Sequence, residues 1–400
     1  MDDQDPLFPI PEGGWEYGNC KTLDYAEEDA FAFASEDLDL YTNDVLFVST
    51  GMNGPDGGGV DRSNVTEPYT LGGIYLLDLS NQDSPIFARA KISGLPSSLN
   101  FRPHGIFYDE NSNRLLVVSH NEQEQEENIV IFSIEDGEGD GSLPTLTFEA
   151  ALFSDEWSPV GGNLANWHIN DLVVAGAEEI LVTQWGPINP EDLFPKTLWS
   201  CELLASYENL PQDGRIKTTC VRALDFTSPG LNGIAINDAR NTAWVSDLFS
   251  TQLLEINKND DVAGNWTLNT TISTPGAVDN LVFIDGTLHM AVVTKVLTFD
   301  SSFYIGTYAV ASKRSSSDAF VTEPVFQFDP SFLEELDFPF ITSMAYPVGD
   351  LVVLGSVTYP GIVICSRNVT DNESDGVMAL YSATVSLLVS LVVATIPWMI

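Results

Sequence analysis

Apolar and polar positions along this chain fall into one recurring pattern. A polar residue opens a short apolar stretch, an Asp/Asn/Gly turn follows, and a second apolar run often ends on Val and a Ser or Thr. The instances are SEDLDLYTNDVLFVST, RPHGIFYDENSNRLLVVSH, WHINDLVVAGAEEILVTQW, GLNGIAINDARNTAWVSDL, AVDNLVFIDGTLHMAVVT and FITSMAYPVGDLVVLGSV. Their opening polar positions are Asp37, His104, Asn170, Asn232, Asn280 and Ser343, near-equally spaced except for a short step from Asn232 to Asn280. The runs are rich in Val, Ile and Leu, and the turns carry Asn-Asp, Asp-Gly or Gly-Asp, so each segment predicts two strands joined by a tight turn. Further strand-like runs lie between them, among them GGIYLLDLS, ENIVIFSIED and STQLLEINKND. Four strands in each of six units predict an all-β, six-bladed β-propeller. A large sandwich or jelly roll would not predict the sixfold recurrence.

That architecture gives the polar positions a meaning. The innermost strand of each blade lines a central channel, so a polar residue at the same point of every repeat faces one axis. Beside the ring members stand Glu36, Asp171 and Asp279. A single Asn-Asp or Asn-Gly pair usually makes a turn; recurrence at equivalent points argues for a shared role. Amides and carboxylates ringed about an axis form an oxygen-rich cage, the donor set of calcium, which takes about 6–8 oxygens in a flexible geometry. Clustered histidines and soft sulfur ligands are missing, which disfavours zinc and copper.

Composition narrows the setting. The 400 residues carry 58 Asp and Glu against 16 Lys and Arg, a net charge of −42. Such a surface repels phosphate backbones and excludes nucleic acid as a partner class. None of the four cysteines lies in a CxxC pair. Cys20 and Cys365 lie near the two ends of the folded part, and Cys201 and Cys220 bracket a segment read as a long hairpin. An even count so arranged suggests two disulfides and an oxidising compartment. Sequons at Asn64, Asn265, Asn269, Asn368 and Asn372 point the same way. The opening MDDQDPLFPIPEGG has neither a basic region nor an apolar core, so no signal peptide is read there. The expected organisation is an acidic lead (1–16), a propeller (17–366), a polar linker (367–376) and a hydrophobic tail (377–400). The tail reads as a lipid-anchor signal or a membrane span, which puts the protein outside the cell or on its surface.

Several of these segments, in order, resemble the serum paraoxonase/arylesterase family: SEDLDL, RPHGI followed by LLVVSH, the IND of WHINDLVVAG, the NGI of GLNGIAI, GNWTL and AVDNLV. The resemblance runs from about Cys20 to Cys365. It implies a catalytic calcium held by Glu36, Asn170, Asn232, Asp279 and Asn280. It implies a second, structural calcium held by Asp37, Asp171 and the backbone carbonyl of Ile106. It implies a histidine pair at His104 and His120, a disulfide joining Cys20 to Cys365, and hydrolysis of lactones and aryl esters. His104 is expected as the base that takes a proton from water and His120 as its support. His168 is read as part of a strand entry and His289 as an outward side chain. Gln184-Trp185 and Val292-Val293 depart from the family, as do the Gly-rich loop Asn53–Gly72 and the Cys201–Cys220 hairpin; all are expected at the channel rim, where specificity is set. Two rivals remain at this level. One is a non-catalytic binding propeller that keeps calcium for stability and has no need of two histidines. The other is a different propeller enzyme, a sugar-lactone hydrolase or a strictosidine-synthase-like protein, which lacks the Glu36-Asp37 pair and the terminal disulfide.

Overall fold

The computed structural model describes residues 16–24, 34–50, 72–99, 101–121, 126–137, 143–157, 168–185, 197–204, 207, 210–211, 213–224, 228, 230–248, 250–259, 264–293, 307–313, 320–328, 332, 336, 340–357 and 359–368. Among these residues the ordered structure is all-β. After β1 (Tyr17–Asp24) comes a first unit of β2 (Ser35–Thr42), β3 (Val45–Thr50), β4 (Gly73–Asp78) and β5 (Ile86–Arg89), then a short β6 (Lys91–Ser93). The second unit is β7 (Pro103–Asp109), β8 (Arg114–Asn121), β9 (Glu126–Glu135) and β10 (Thr145–Phe153). The third is β11 (His168–Gly176), β12 (Glu179–Trp185), β13 (Leu198–Glu202) and, beyond β14 (Arg215–Lys217), β15 (Cys220–Arg222). The fourth is β16 (Leu231–Ile236), β17 (Thr242–Asp247), β18 (Gln252–Lys258) and β19 (Trp266–Ser273). The fifth is β20 (Ala277–Ile284), β21 (Thr287–Val293), β22 (Thr307–Lys313) and β23 (Phe320–Gln327). The last unit is β24 (Thr342–Val348), β25 (Leu351–Ser356) and β26 (Gly361–Arg367), with β1 as its fourth strand. Within each unit successive strands pair antiparallel.

The second strands are apolar almost throughout because both their faces are buried. Leu46 and Val48 of β3 pack towards the last unit, with Met344, Val353 and Ile364, while Phe47 between them packs towards the second, with Leu115 and Val117. Leu116 and Val118 then join Ile180 and Val182 of the third unit, and Leu181 joins Val245 and Ile256 of the fourth. Trp244 and Leu253 meet Leu288 and Met290 of the fifth, and Phe326 meets Val352 and Leu354 of the last. Each pair of neighbouring units thus shares one apolar layer. The first strands follow the same cycle: β2 packs against β7, β7 against β11, β11 against β16, β16 against β20, β20 against β24 and β24 against β2.

Every one of these six first strands breaks register around its opening polar position. The shift lies between Ser35 and Leu38, Pro103 and Ile106, Ile169 and Leu172, Leu231 and Ile234, Val278 and Leu281, and Thr342 and Met344. Each shift adds one residue to the first strand, a β-bulge, which re-aims side chains that strict alternation would send to opposite faces. Hydroxyls on the second strands secure the distortion: Ser49 Oγ accepts from Asp37 N at 3.0 Å and Thr183 Oγ1 from Asp171 N at 3.0 Å. Two bulges carry glycine because the neighbouring strand presses on them. A Cβ at Gly105 would lie 2.5 Å from the Asn170 carbonyl oxygen, and one at Gly233 would lie 2.6 Å from the Asp279 carbonyl oxygen.

The bulges correct the ring read from the sequence. Residue pairs 36–37, 104–105, 170–171, 232–233 and 279–280 occupy equivalent bulges, so Glu36 and Asp279, rather than Asp37 and Asn280, match His104, Asn170 and Asn232. Asp37 and Asn280 are the second residues of their bulge pairs, where His104, Asn170 and Asn232 are the first of theirs.

Cys20 and Cys365 are bonded, joining β1 to β26. Cys201 and Cys220 are bonded across β13 and β15. Their segment is more than a hairpin, because β14 pairs parallel with β10 of the second unit. Two disulfides fit an oxidising compartment. No helix among the described residues is long and apolar enough to cross a membrane. Residues 1–15 of the acidic lead, the Gly-rich loop around Asn64, Asn372 and the apolar tail lie outside the described residues. Asn269 and Asn368 are exposed and Asn265 is partly so.

Candidate active site

Four side chains form an unbroken chain of contacts inwards from the second unit. Glu127, on β9, is fully buried, and its Oε2 lies 2.5 Å from His120 Nδ1. His120 Nε2 lies 2.7 Å from His104 Nδ1, and His104 Nε2 lies 3.1 Å from Glu36 Oε1. All four are nearly excluded from solvent. His104 comes from the bulge of β7 and His120 from the end of β8, so the first hairpin of one unit supplies both rings.

Around Glu36 stand the other bulge residues. Asn280 Nδ2 donates to the Glu36 backbone carbonyl at 3.0 Å. Asn232 hydrogen-bonds the Asp279 carboxylate, and Asp279 is close enough to Glu36 to feel its charge. Burial pushes the Glu36 carboxyl up to about 8. Burial, and then the charge of Glu36, raise Asp279 well above the usual carboxylate range. A protein interior normally pairs its polar atoms. Here Glu36 Oε2, Asn170 Oδ1, Asn232 Oδ1 and Asn280 Oδ1 are buried without a hydrogen-bond partner. Acceptor oxygens left bare beside two carboxylates are what a hard cation needs, so these residues fit a calcium ion. Two carboxylates and three neutral amides also balance its charge.

The second candidate set lies next along the same strands. Asp37 Oδ2 accepts from Ile106 N at 2.8 Å, and Asp171 Oδ2 accepts from Ile234 N at 2.9 Å. The N–H of Ile106 thus binds Asp37, which brings Ile106, whose carbonyl the family resemblance implies as a ligand, beside the carboxylate. Burial, then the Asp171 charge, raise Asp37, and burial takes Asp171 to about 8. The chain's own remedy for the charge is backbone N–H groups alone. Among the described residues no group of three or more His, Cys, Asp or Glu side chains is arranged as a metal centre; the candidate cage depends on Asn amides.

Some placements differ from expectation. Gln184 is buried and accepts from Trp199 Nε1 at 3.1 Å, and Val292 is buried in the layer between the fourth and fifth units. His168 opens β11 as read, and His289 is half-buried rather than outward, its imidazole pushed down to about 4 by burial. Sequence reading missed Glu127, which follows the acidic run NEQEQE and looks like part of a solvated loop. It missed Asp39 too, a step of two along β2 from Asp37, whose carboxylate accepts from Tyr108 N at 2.5 Å. A cavity of about 810 Å³ opens beside Asp37, Asp39, Asp171, Tyr108, Arg240 and Phe283. Glu36, His104 and the bare amide oxygens are not among its lining residues.

Comparison with known proteins agrees with the resemblance. A family model described as Arylesterase matches residues 18–183. The serum paraoxonase/arylesterase 1 of Rattus norvegicus is 26% identical over 254 residues, 62% of each chain. That of Homo sapiens is 26% identical over 243 residues, 58% of each chain. The alignments therefore span about three fifths of the length of these relatives. Among solved structures, a luciferin-regenerating enzyme matches 86% of this chain and 95% of its own at 12% identity with a TM-score of 0.45. The calcium-binding protein regucalcin of Agrobacterium tumefaciens matches 86% and 93% at 10% identity with a TM-score of 0.44. Scores of this size decide nothing about the fold, which rests on the strand pairing above.

Proposed function

We propose that this chain, which is related to the serum paraoxonase/arylesterase family, is a calcium-dependent hydrolase of lactones and aryl esters built as a closed six-bladed β-propeller. The cycle of shared apolar layers supports the propeller. The observation that carries the activity is the junction of the two sets: a buried histidine pair touches Glu36, a member of the group whose oxygens are left bare.

Glu36, Asn170, Asn232, Asp279 and Asn280 would hold one calcium ion, and Asp37 and Asp171 a second. When bound, the first supplies Lewis-acid polarisation of the substrate carbonyl and charge stabilisation of the developing oxyanion. His104 takes a proton from water as the hydroxyl attacks the carbonyl carbon, and later returns it to the leaving oxygen. His120 holds the His104 ring in place through the 2.7 Å contact. Burial of the pair excludes competing water and keeps its hydrogen bonds aligned. The two-disulfide frame and the sequons support an extracellular or cell-surface location.

A panel of lactones and aryl esters, assayed with and without chelator, tests this reading. Turnover that disappears with chelator and returns with calcium supports it. A calcium-replete protein that hydrolyses no member of the panel favours a calcium-stabilised binding propeller instead.

A further inference from the structure

We infer that Glu127 is a positioning residue: it sets the tautomers of both histidines and holds, on His120, the positive charge that forms when His104 accepts a proton. The inference rests on His104 as base and extends that reading to a residue on a third strand.

An ionised carboxylate only accepts hydrogen bonds. With Glu127 Oε2 at 2.5 Å, His120 Nδ1 must carry the proton. In a neutral imidazole the other nitrogen is then a bare lone pair, so His120 Nε2 accepts across the 2.7 Å contact and His104 Nδ1 carries the proton there. His104 Nε2 is left with its lone pair 3.1 Å from Glu36 Oε1, a contact that is a hydrogen bond only while Glu36 holds a proton and donates it; once Glu36 is ionised and turned to a cation, this nitrogen is the free base. One acceptor at the outer end thus determines which atom at the inner end is basic. The opposite polarity, with His104 Nε2–H donating to Glu36 and a protonated Glu127, requires Glu36 to spend an oxygen on histidine rather than on a cation.

The same line of contacts moves charge. A water proton passes to His104 Nε2, and the proton on His104 Nδ1 passes to His120 Nε2. His120 now carries protons on both nitrogens, as an imidazolium against the Glu127 carboxylate, and the hydroxyl oxygen goes to the carbonyl carbon. Protonation of the leaving oxygen reverses each transfer. No oxidant or further reactant is needed. Glu127 is held rigidly for this role: it is fully buried, its backbone carbonyl accepts from Trp157 Nε1 at 3.1 Å, and Trp157 is itself fully buried. Among the described residues, the titratable groups in contact with His120 include Glu127 from β9 and His104 from β7, with Glu36 beyond it. Arg102 meets it through the backbone, its carbonyl accepting from His120 N at 3.0 Å.

Two measurements test this on the full chain. In the unsubstituted protein, nitrogen-15 histidine spectra near neutral pH should show His120 protonated at Nδ1 and bare at Nε2, and His104 protonated at Nδ1. In Glu127→Gln, which retains an acceptor but loses the charge, kcat should fall about 10–10²-fold with KM little changed. The acid limb of its pH–rate profile should also move to lower pH by about one unit or more, because the imidazolium has lost its partner. Simple misplacement of the rings would lower kcat without moving that limb, and Glu127→Asp should recover part of both. A His120 protonated at Nε2 and bare at Nδ1, or a Glu127→Gln profile with the limb unmoved, overturns the inference. Should Glu127→Gln not fold, the spectra of the unsubstituted protein decide alone. If those spectra hold in a protein that hydrolyses nothing, the hydrolase reading fails and the tautomer assignment survives.

Discussion

Glu179 and Glu36 are both buried glutamates, and the chain treats them in opposite ways. Glu179 Oε1 accepts from Ser200 Oγ at 2.6 Å, Gly264 N at 2.9 Å and Trp266 Nε1 at 3.0 Å, while Lys258 Nζ lies 2.7 Å from Oε2. Burial pushes Glu179 up, but these donors, Lys258 first, bring it below the ordinary carboxylate value. Glu36 has one oxygen against a histidine and the other bare, and burial leaves it at about 8. The first is satisfied by its own chain and clips the third unit to the fourth. The second is left for something the chain does not supply. Missing donors, as at Glu36, therefore point to a ligand where burial alone does not separate the two cases.

The largest effect should come from opening the ring. Replacing both Cys20 and Cys365 with Ser should cost at most about 5–6 kcal/mol on the loop-entropy model, read by denaturant unfolding. The loss should be uneven. Hydrogen exchange should loosen first around Glu36 and Ser343, where the last unit meets the first, while the Glu179 clip stays protected. Equal loosening of both regions would break the contrast.

Glu179→Ala comes next. It strands Lys258 and the Trp266 N–H in a buried position and should cost about 3–5 kcal/mol. Calcium content and turnover per folded molecule should hold. Calcium itself should matter at the other region: at about a hundredfold excess over its dissociation constant, each site adds about 2.7 kcal/mol. Thermal melting with and without chelator reads this, and Glu36→Gln should shrink the difference where Glu179→Gln does not.

The smallest effect is in pH, and its sign differs between the two groups. Glu179 is depressed in the folded state, so its contribution is present above the ordinary value of 4.5 and lost as pH falls through the folded value. Glu36 is raised, so in the chelated protein its contribution is full below 4.5 and lost as pH climbs towards about 8. Above that range Glu36→Gln should stabilise the chelated protein by about 1–2 kcal/mol. Urea melts across pH in chelator should show Glu36→Gln flattening the decline and Glu179→Gln flattening the acid limb.

What was legible in the sequence follows the same division. The sixfold recurrence, the two-strand segments and the polar ring could be read because each repeats, and a repeated signal survives local exceptions. The frame of the ring could not be read at Asp37 and Asn280, since an extra residue in a bulge leaves no mark on an alternation only a few residues long. His104 and His120 were visible as chemistry-bearing residues within the repeat. Glu127 was not, because it occurs in one unit only and follows an acidic run that resembles exposed loop. The Glu179–Lys258 clip joins residues 79 apart, and nothing in the turn AGAEE distinguishes Glu178, on the turn, from Glu179, in the core.

The central claim is that the bare oxygens are for calcium and that calcium is for catalysis. Asn232→Ala tests it most directly, since it removes one bare oxygen and no charge. We predict a variant that melts near the temperature of the unsubstituted protein when both are in chelator, binds one calcium ion fewer by elemental analysis after dialysis, and hydrolyses lactones at least about 10³-fold more slowly. Turnover at the unsubstituted rate, in the variant or in excess chelator, would contradict it.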